Sequence, residues 1–468
     1  MKIAVAGASG FIGSELLARF ETDPRIEKVI GFSRSKRESK SGSKVEWRKV
    51  DLADLEAVHS ALGEVDTAVY LVHSMSPQAR LSQGSFEDFD LLQADNFARA
   101  CQSRKIIRIF YLGGIVPPGR DDSPSLSLHL KSRLEVERVL GAYGASVTAF
   151  RAGLILGAGG SSSEMLVRLV RRLPIMLVPL WTKTESEPID VHDVSEAIHT
   201  TLFRDDLQGQ IWDLAGAEKV SYADLMQRTA ETLGLKRTII PLPAISPSVS
   251  KLWVSLISGA PRTLVYPLVK SLRHSMLSEP TRRLLPHIGL IPKPLTESVR
   301  SLTDACLKKD TTPRVYLRRR DFLGLRTVRS IQRISSLTET QLSKLGSLAE
   351  RYFFWLPHML FGILRVQKFT DGEIVRIRFM IRFTSIILLE LVARPHPERD
   401  IERFAITGGM LQTNGSGGFL EFRAVRSENV GLSIVQDFVP RLPWTIYFWT
   451  QATIHLWVMS RFAKFLAR

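Results

Sequence analysis

The sequence predicts a two-part chain: an N-terminal α/β region built on a doubly wound parallel sheet, then a smaller α+β region. Three observations carry this. Short apolar runs alternate with helical patterns as far as about residue 156, the order of a parallel sheet with crossover helices. The first run, residues 2–6, passes straight into Gly7-Ala8-Ser9-Gly10-Phe11-Ile12-Gly13 and then into the helical spacing of Leu16, Leu17 and Phe20. Beyond residue 312 the periodicity changes to strands separated by turns, and a long helical pattern closes the sequence.

Residues 2–6, 28–33, 45–50, 67–72, 106–112 and 146–150 read as six strands, with helices at 54–62, 88–103 and 130–143 between them. In the glycine stretch, the first glycine permits a tight turn and the second lets the backbone approach a pyrophosphate. The third lets the helix pack close to the strand. The helix start then offers N–H donors and a positive dipole end to phosphates. A Rossmann-type, dinucleotide-binding sheet is therefore predicted, with Gly7, Ser9, Gly10, Phe11, Ile12 and Gly13 as cofactor-binding residues. After the second strand, where an acidic residue would grip the ribose 2′-hydroxyl of NAD, stand Arg34, Lys36 and Arg37. This predicts NADP(H) over NAD(H), with Arg34 at the 2′-phosphate; a basic surface loop is the alternative.

A chain of 468 residues exceeds one ordinary core, so two or three domains are expected. The apolar fraction of 44% and charged fraction of 24% are those of a globular protein. The net charge is +16, and residues 251–333 hold 17 Lys and Arg against 5 Asp and Glu. That excess suits an anionic partner, namely a phosphate-bearing ligand, acidic lipid headgroups or nucleic acid, or else forms a solvated basic face. Only Trp253 and Tyr266 interleave it with stacking surfaces, which argues against nucleic acid. Cys101 and Cys306 sit in no metal-ligand or redox spacing, and no signal peptide precedes the strand at Lys2. A reducing, cytoplasmic setting without a metal is expected, with attachment at the inner face of the membrane as an addition. Residues 442–459 are nearly uncharged, but Thr445, Thr450, Gln451, Thr453 and His455 weaken them as a span.

Further motifs follow the strands. They are Asp51-Leu52, Leu71-Val72-His73-Ser74-Met75, Lys131 on a helix, Arg151-Ala152-Gly153-Leu154-Ile155-Leu156-Gly157, and Pro188-Ile189-Asp190-Val191-His192-Asp193-Val194. With the glycine stretch they resemble the short-chain dehydrogenase/reductase superfamily, in its atypical branch of NAD(P)H-binding, nucleoside-diphosphate-sugar-epimerase-like proteins. The resemblance implies that Asp51 contacts the adenine amino group, with Leu52 in the same cofactor-binding set. It implies that the backbone at Val72 and His73 passes the nicotinamide ribose, that Lys131 holds the ribose, and that the stretch from Arg151 to Ile155 lines the cleft. Lys131 is also the candidate catalytic residue. Catalytic members carry a Tyr four residues before that Lys and a Ser at the end of the fifth strand. Here those places hold Ser127 and Gly113-Gly114. A serine hydroxyl has too high a pKa and too short a reach to replace a phenol as acid/base. Tyr111, His129 and His73 remain as proton donors by residue type.

Two function classes stay open. One is an NAD(P)H-dependent oxidoreductase or epimerase-like enzyme on a nucleotide-linked or lipid-like substrate. The other is a non-catalytic NADP(H)-binding sensor, scaffold or assembly factor, and a role at the membrane surface can join either.

Past the sixth strand, Gly157-Ala158-Gly159-Gly160-Ser161-Ser162-Ser163 predicts a flexible loop before a helix at 164–173, and the apolar stretch 174–181 is expected to cover the substrate cleft. Helices at 194–203 and 222–233 and a strand at 210–214 complete a dinucleotide domain over residues 1–240. Recurring prolines mark 241–312 as a helical extension or lid and linker, with helices at 249–257 and 263–271. Residues 313–468 form the last domain, with strands at 373–382, 385–393, 403–411, 418–424 and 431–439. A helix over 445–467 puts Ile454, Val458, Phe462 and Phe465 on one apolar face. Leu420-Glu421-Phe422, Asp437-Phe438-Val439-Pro440 and residues 447–464 resemble the helix-grip, START-like domain that follows the same module in bacterial two-domain proteins. That resemblance implies an apolar ligand or anionic lipid held between sheet and helix. A packed domain with no cavity is the alternative.

Overall fold

The computed structural model describes residues 1–73, 81–117, 126–242, 272, 274–308, 327–334, 348–372, 374–413, 417–425 and 427–466. The helices expected at 249–257 and 263–271, and the linker before residue 314, lie outside them. The chain divides into two units. One is Met1–Met75 with Gln93–Tyr316, and the other is Ser76–Leu92 with Leu317–Arg468.

The first unit is built on seven strands: β1 (Lys2–Ala6), β2 (Lys28–Ser33), β3 (Val45–Lys49), β4 (Thr67–Tyr70), β5 (Arg108–Gly114), β6 (Ser146–Ala152) and β7 (Ile211–Leu214). All pair in parallel, in the order 7-6-5-4-1-2-3. Residues Ile3 to Ala6 of β1 have no exposure, as a central strand covered on both faces requires. Helices α1 (Phe11–Thr22), α2 (Leu55–Leu62), α3 (Phe86–Ser103, from Gln93 onward in this unit) and α4 (Leu128–Gly141) connect the strands. Leu16 and Phe20 of α1 bury their side chains in the core with Ile3 and Val5, the helical spacing read from the sequence.

Beyond β6, α5 (Ser161–Arg172), α6 (Val191–Thr201), α7 (Tyr222–Thr232) and α8 (Leu295–Lys308) follow. Val299 and Leu302 of α8 share a core with Leu166 and Val170 of α5 and Leu225 of α7. The stretch at 174–181 contains a strand, Ile175–Pro179, paired in parallel with Thr238–Leu242. Its burial alternates, with Ile175 and Leu177 exposed and Met176 and Val178 buried, which is a strand's period of two. Buried Glu187 fixes the later chain to this unit. It accepts from the Ser278 N–H at 2.6 Å and the Ser278 hydroxyl at 2.7 Å, and it pairs with Arg283.

The second unit carries an eight-stranded sheet. Its strands are β8 (Val328–Ile334), β9 (Leu364–Asp371), β10 (Ile374–Ile381), β11 (Ile387–Arg394), β12 (Ile401–Gly408), β13 (Phe419–Val425), β14 (Val430–Phe438) and the short segment Leu81–Gln83. The order is 9-10-11-12-13-14-8, closed by Leu81–Gln83 beside β8. Every pairing is antiparallel except that last one. The helix α9 (Leu348–Met359) and the C-terminal helices lie on its apolar face. Tyr352 sits 5.3 Å from the Phe422 ring and 5.1 Å from the Phe462 ring. The single helix expected over 445–467 is broken at Thr450, whose φ of −113° and ψ of −86° are not helical. It becomes α10 (Trp444–Trp449) and α11 (Gln451–Leu466). Val458 and Phe462 of the expected apolar face are buried, whereas Ile454 and Phe465 are exposed. Among the described residues no helix is long and apolar enough to cross a membrane.

Candidate dinucleotide site

The carboxyl end of β1 lies between those of β2 and β4, at the point where the strand order reverses. Open α/β sheets bind ligands at that point. The glycines do there what their spacing implied. Gly7 has a φ of +87°, and a Cβ on it would stand 3.0 Å from the Leu71 carbonyl oxygen. Gly13 presses against the loop, since a Cβ would meet Gly7 O at 2.3 Å and Ala8 Cα at 2.7 Å. At Gly10 a Cβ would meet only Gly7 O, at 3.1 Å, a single tight approach where Gly13 meets several. The turn closes through Gly10 N–H to Gly7 O and Ser14 N–H to Gly10 O, both at 2.9 Å. No side chain caps α1 and no acidic residue stands in its first turn, so the N–H groups of Phe11, Ile12 and Gly13 meet no competing carboxylate there. This cradle fits a dinucleotide pyrophosphate.

Other predicted residues take their places around the same sheet edge. Arg34 is exposed just past β2. Asp51 follows β3, and its Oδ1 accepts the Ala53 N–H at 3.0 Å. The Leu52 carbonyl accepts from Asn96 Nδ2 of α3 at 2.9 Å. Val72 and His73 follow β4. Of the motif that continues there, Ser74 and Met75 lie outside the described residues. Lys131 sits in the first turns of α4.

Two further side chains show how the familiar acid/base places are used. Ser127, four residues before Lys131, is the N-cap of α4, and its Oγ accepts the Leu130 N–H at 3.3 Å. The Tyr111 ring leans over Gly113, where an added Cβ would come within 2.9 Å of Tyr111 Cε1. Its hydroxyl donates to the Arg133 carbonyl at 3.0 Å. Arg151 is buried, and its guanidinium grips Glu137 of α4 in two bonds of 2.8 and 3.0 Å, which ties β6 to α4.

Sequence reasoning missed Arg133. Its Nη1 donates to the Val72 carbonyl at 3.3 Å, and its Nη2 lies 2.7 Å from His73 Nδ1. A guanidinium only donates, so Nδ1 is the acceptor. The His73 and His129 rings stand 4.9 Å apart. In the Pro188–Val194 motif, Asp190 caps α6 through the His192 N–H at 2.9 Å, and Asp193 accepts the Lys293 N–H at 2.8 Å. Burial holds the Asp193 carboxyl above its usual range. A cavity of about 420 Å³ adjoins the loop, between Gly10, Phe11, Gly157, His192 and Ser298. Among the described residues no group of His, Cys, Asp and Glu is arranged to hold a metal ion.

Comparison with known proteins agrees with this geometry. Residues 3–215 match the NAD dependent epimerase/dehydratase family. The Auxiliary protein GraX of Staphylococcus aureus is 28% identical over 146 residues, which is 31% of this chain and 42% of that protein. The chain thus spans about two fifths of that relative's length. Among solved structures, a nucleoside-diphosphate-sugar epimerase from Staphylococcus aureus superposes with a TM-score of 0.50 at 16% identity, covering 64% of this chain and 100% of that one. The NADPH-dependent quinone oxidoreductase of Escherichia coli, complexed with NADPH, gives 0.50 at 18% identity, covering 65% and 100%. At such identity the two structures establish the fold. Residues 3–215 are thus similar to the NAD dependent epimerase/dehydratase family, and the N-terminal part of the chain has the fold of these two structures.

Proposed function

We propose that the N-terminal unit binds NADP(H) and holds it as a sensing or structural cofactor without acid/base turnover. The observation that carries this reading is the N-cap role of Ser127. The side chain in the usual tyrosine's place is spent on the Leu130 N–H, and Gly113 leaves no hydroxyl at the end of β5. Tyr111 does not substitute, because its phenol is buried and donates to the Arg133 carbonyl. Lys131 then acts as a ribose-holding residue, and Arg34 supplies the charge for the 2′-phosphate. The test is titration calorimetry with NADPH and NADH, beside NADPH oxidation assays with quinones, aldehydes and nucleotide sugars. Saturable NADPH binding with no oxidation above the protein-free rate is expected.

A second reading, a reductase that protonates its substrate from a histidine, is favoured by the 4.9 Å approach of His73 and His129 at the cleft. Acceptor-dependent oxidation of NADPH that disappears in His73→Asn would select it.

A further inference from the structure

The second unit takes one piece of chain from far upstream. Ser76–Leu92 belongs to it, although Met1–Met75 and Gln93–Tyr316 form the first unit. Specific contacts fasten this piece within the second unit. Leu81–Gln83 runs parallel to β8, with Leu81 facing Val328 and Gln83 facing Ser330. Gly84 lies so close to β8 that a Cβ would stand 2.6 Å from the Ile331 carbonyl oxygen, and its φ of +141° also calls for glycine. Gln83 Nε2 donates to the Ala452 carbonyl of α11 at 3.0 Å. Asp88 Oδ1 accepts from Arg333 Nε of β8 at 2.9 Å. The other oxygen of Asp88 accepts from the Ser85 N–H at 3.1 Å and the Ser85 hydroxyl at 2.8 Å, at the start of α3.

Both ends of the piece lead to residues expected at the dinucleotide. Upstream of Leu81 stand Val72 and His73, whose carbonyl and Nδ1 accept from Arg133 of the first unit. Downstream, α3 belongs to the second unit as far as Leu92 and to the first from Gln93. One turn further along α3, Asn96 Nδ2 donates to the Leu52 carbonyl at 2.9 Å, beside Asp51.

A dinucleotide resting on Asp51, Val72 and His73 would restrain the chain on both sides of the piece at once. A segment whose ends are already restrained gives up less conformational freedom when its middle is ordered. The contacts of Gln83, Gly84 and Asp88 then form at a smaller entropic cost when the dinucleotide is bound.

We propose that Leu81–Asp88 is a linkage element: NADP(H) binding in the first unit tightens the hold of this segment on β8, so the fold of the second unit registers whether the dinucleotide is present. The linkage is reciprocal, because whatever the dinucleotide adds to this hold, the hold adds to dinucleotide affinity. The inference rests on the NADP(H) binding proposed above and gives that binding a regulatory consequence.

The test is hydrogen–deuterium exchange of the full chain with and without saturating NADPH, read by mass spectrometry. NADPH should slow exchange in the glycine loop, and with it slow Leu81–Gln83 and Val328–Ile334 by about fivefold. Strands β9 and β10, at the other edge of the sheet, should keep their rates. Protection of the glycine loop with no change in β8 overturns the linkage and leaves NADPH binding standing. No change at the glycine loop overturns the NADPH reading itself, and the linkage falls with it. Calorimetry supplies a second readout. Arg333→Ala, which removes the partner of Asp88 and touches no expected dinucleotide residue, should weaken NADPH binding by about fivefold. Ile377→Val, which trims the buried core at β10 away from the segment, should leave it unchanged. Unchanged affinity in Arg333→Ala overturns the proposal, and so does an equal loss in both variants, because the effect is then general destabilisation of the second unit.

Discussion

The guanidinium of Arg133 on α4 bridges His73 and the carbonyl of the residue before it, with 2.7 Å to His73 Nδ1 and 3.3 Å to Val72 O. One buried side chain thereby fixes the backbone that leaves β4, the stretch expected to pass the nicotinamide ribose. Arg133→Ala should weaken NADPH binding by about 1.5–3 kcal/mol, the range for a hydrogen bond with a charged partner. Lysine cannot span both acceptors with a planar fork, so Arg133→Lys should recover little. Calorimetry decides it: wild-type affinity in a folded Arg133→Ala protein would show that this backbone is held without the bridge.

The glycines of the loop should separate in their effects. Gly13→Ala places a methyl 2.3 Å from Gly7 O and 2.7 Å from Ala8 Cα, both backbone atoms that cannot swing aside. A loss of about 1–3 kcal/mol in stability is expected, the cost of overpacking. A Cβ at Gly10 meets only Gly7 O, at 3.1 Å, so Gly10→Val should lower the melting temperature less than Gly13→Ala does while NADPH binding disappears. Thermal melting with and without NADPH measures both. Matching losses of stability in the two variants would contradict this division.

Arg34 is exposed beyond β2, on the side where the adenosine ribose of a bound dinucleotide would lie. Arg34→Ala should cost about 1.5–3 kcal/mol on NADPH and almost nothing on NADH. Equal losses on both would place Arg34 away from the 2′-phosphate.

The glycine loop was legible because its chemistry is local: strand, three glycines and helix follow one another within 20 residues. Most of the seven parallel strands were legible for the same reason, as buried apolar runs between turn signals, whereas β3 carries Glu46, Arg48 and Lys49 and is only partly buried. Leu81–Gln83 was not, because three residues carry no period and the partner, β8, begins at Val328. β8 itself was hidden by Arg329 and Arg333, which break its apolar pattern although Arg329 is buried. Arg333 is answered by Asp88 at 2.9 Å, a pairing across 245 positions. Arg133 escaped notice likewise, since its partner His73 is 60 residues away. The break at Thr450 has no glycine or proline to announce it.

Acid should destabilise the second unit through Glu421. This carboxylate has no exposure and lies between two arginines, with Arg403 Nε at 2.7 Å and Arg423 Nε at 2.6 Å. Burial alone would raise its pKa, but the attraction of Arg423 and Arg403 and their hydrogen bonds outweigh it and hold the carboxyl below the ordinary value of 4.5. A carboxylate depressed in the folded state contributes stability that is complete above the unfolded value. That stability is lost as pH falls below about 4.5 and through the folded value. His396 adds in the same direction, because burial and the nearby Arg403 hold its imidazole below the usual range, so its protonation also opposes the fold. Glu421→Gln removes the anion that lies between the buried Arg423 and the partly exposed Arg403. Breaking a buried pair in this way costs about 3–5 kcal/mol at neutral pH. The variant should therefore melt well below the wild type at pH 7, with the difference narrowing as the pH is lowered, since the wild type loses the same interaction there. Urea unfolding followed by fluorescence between pH 7 and pH 3 would show it, and a stability gap that stays constant over that range would rule out Glu421 as the acid-sensitive group.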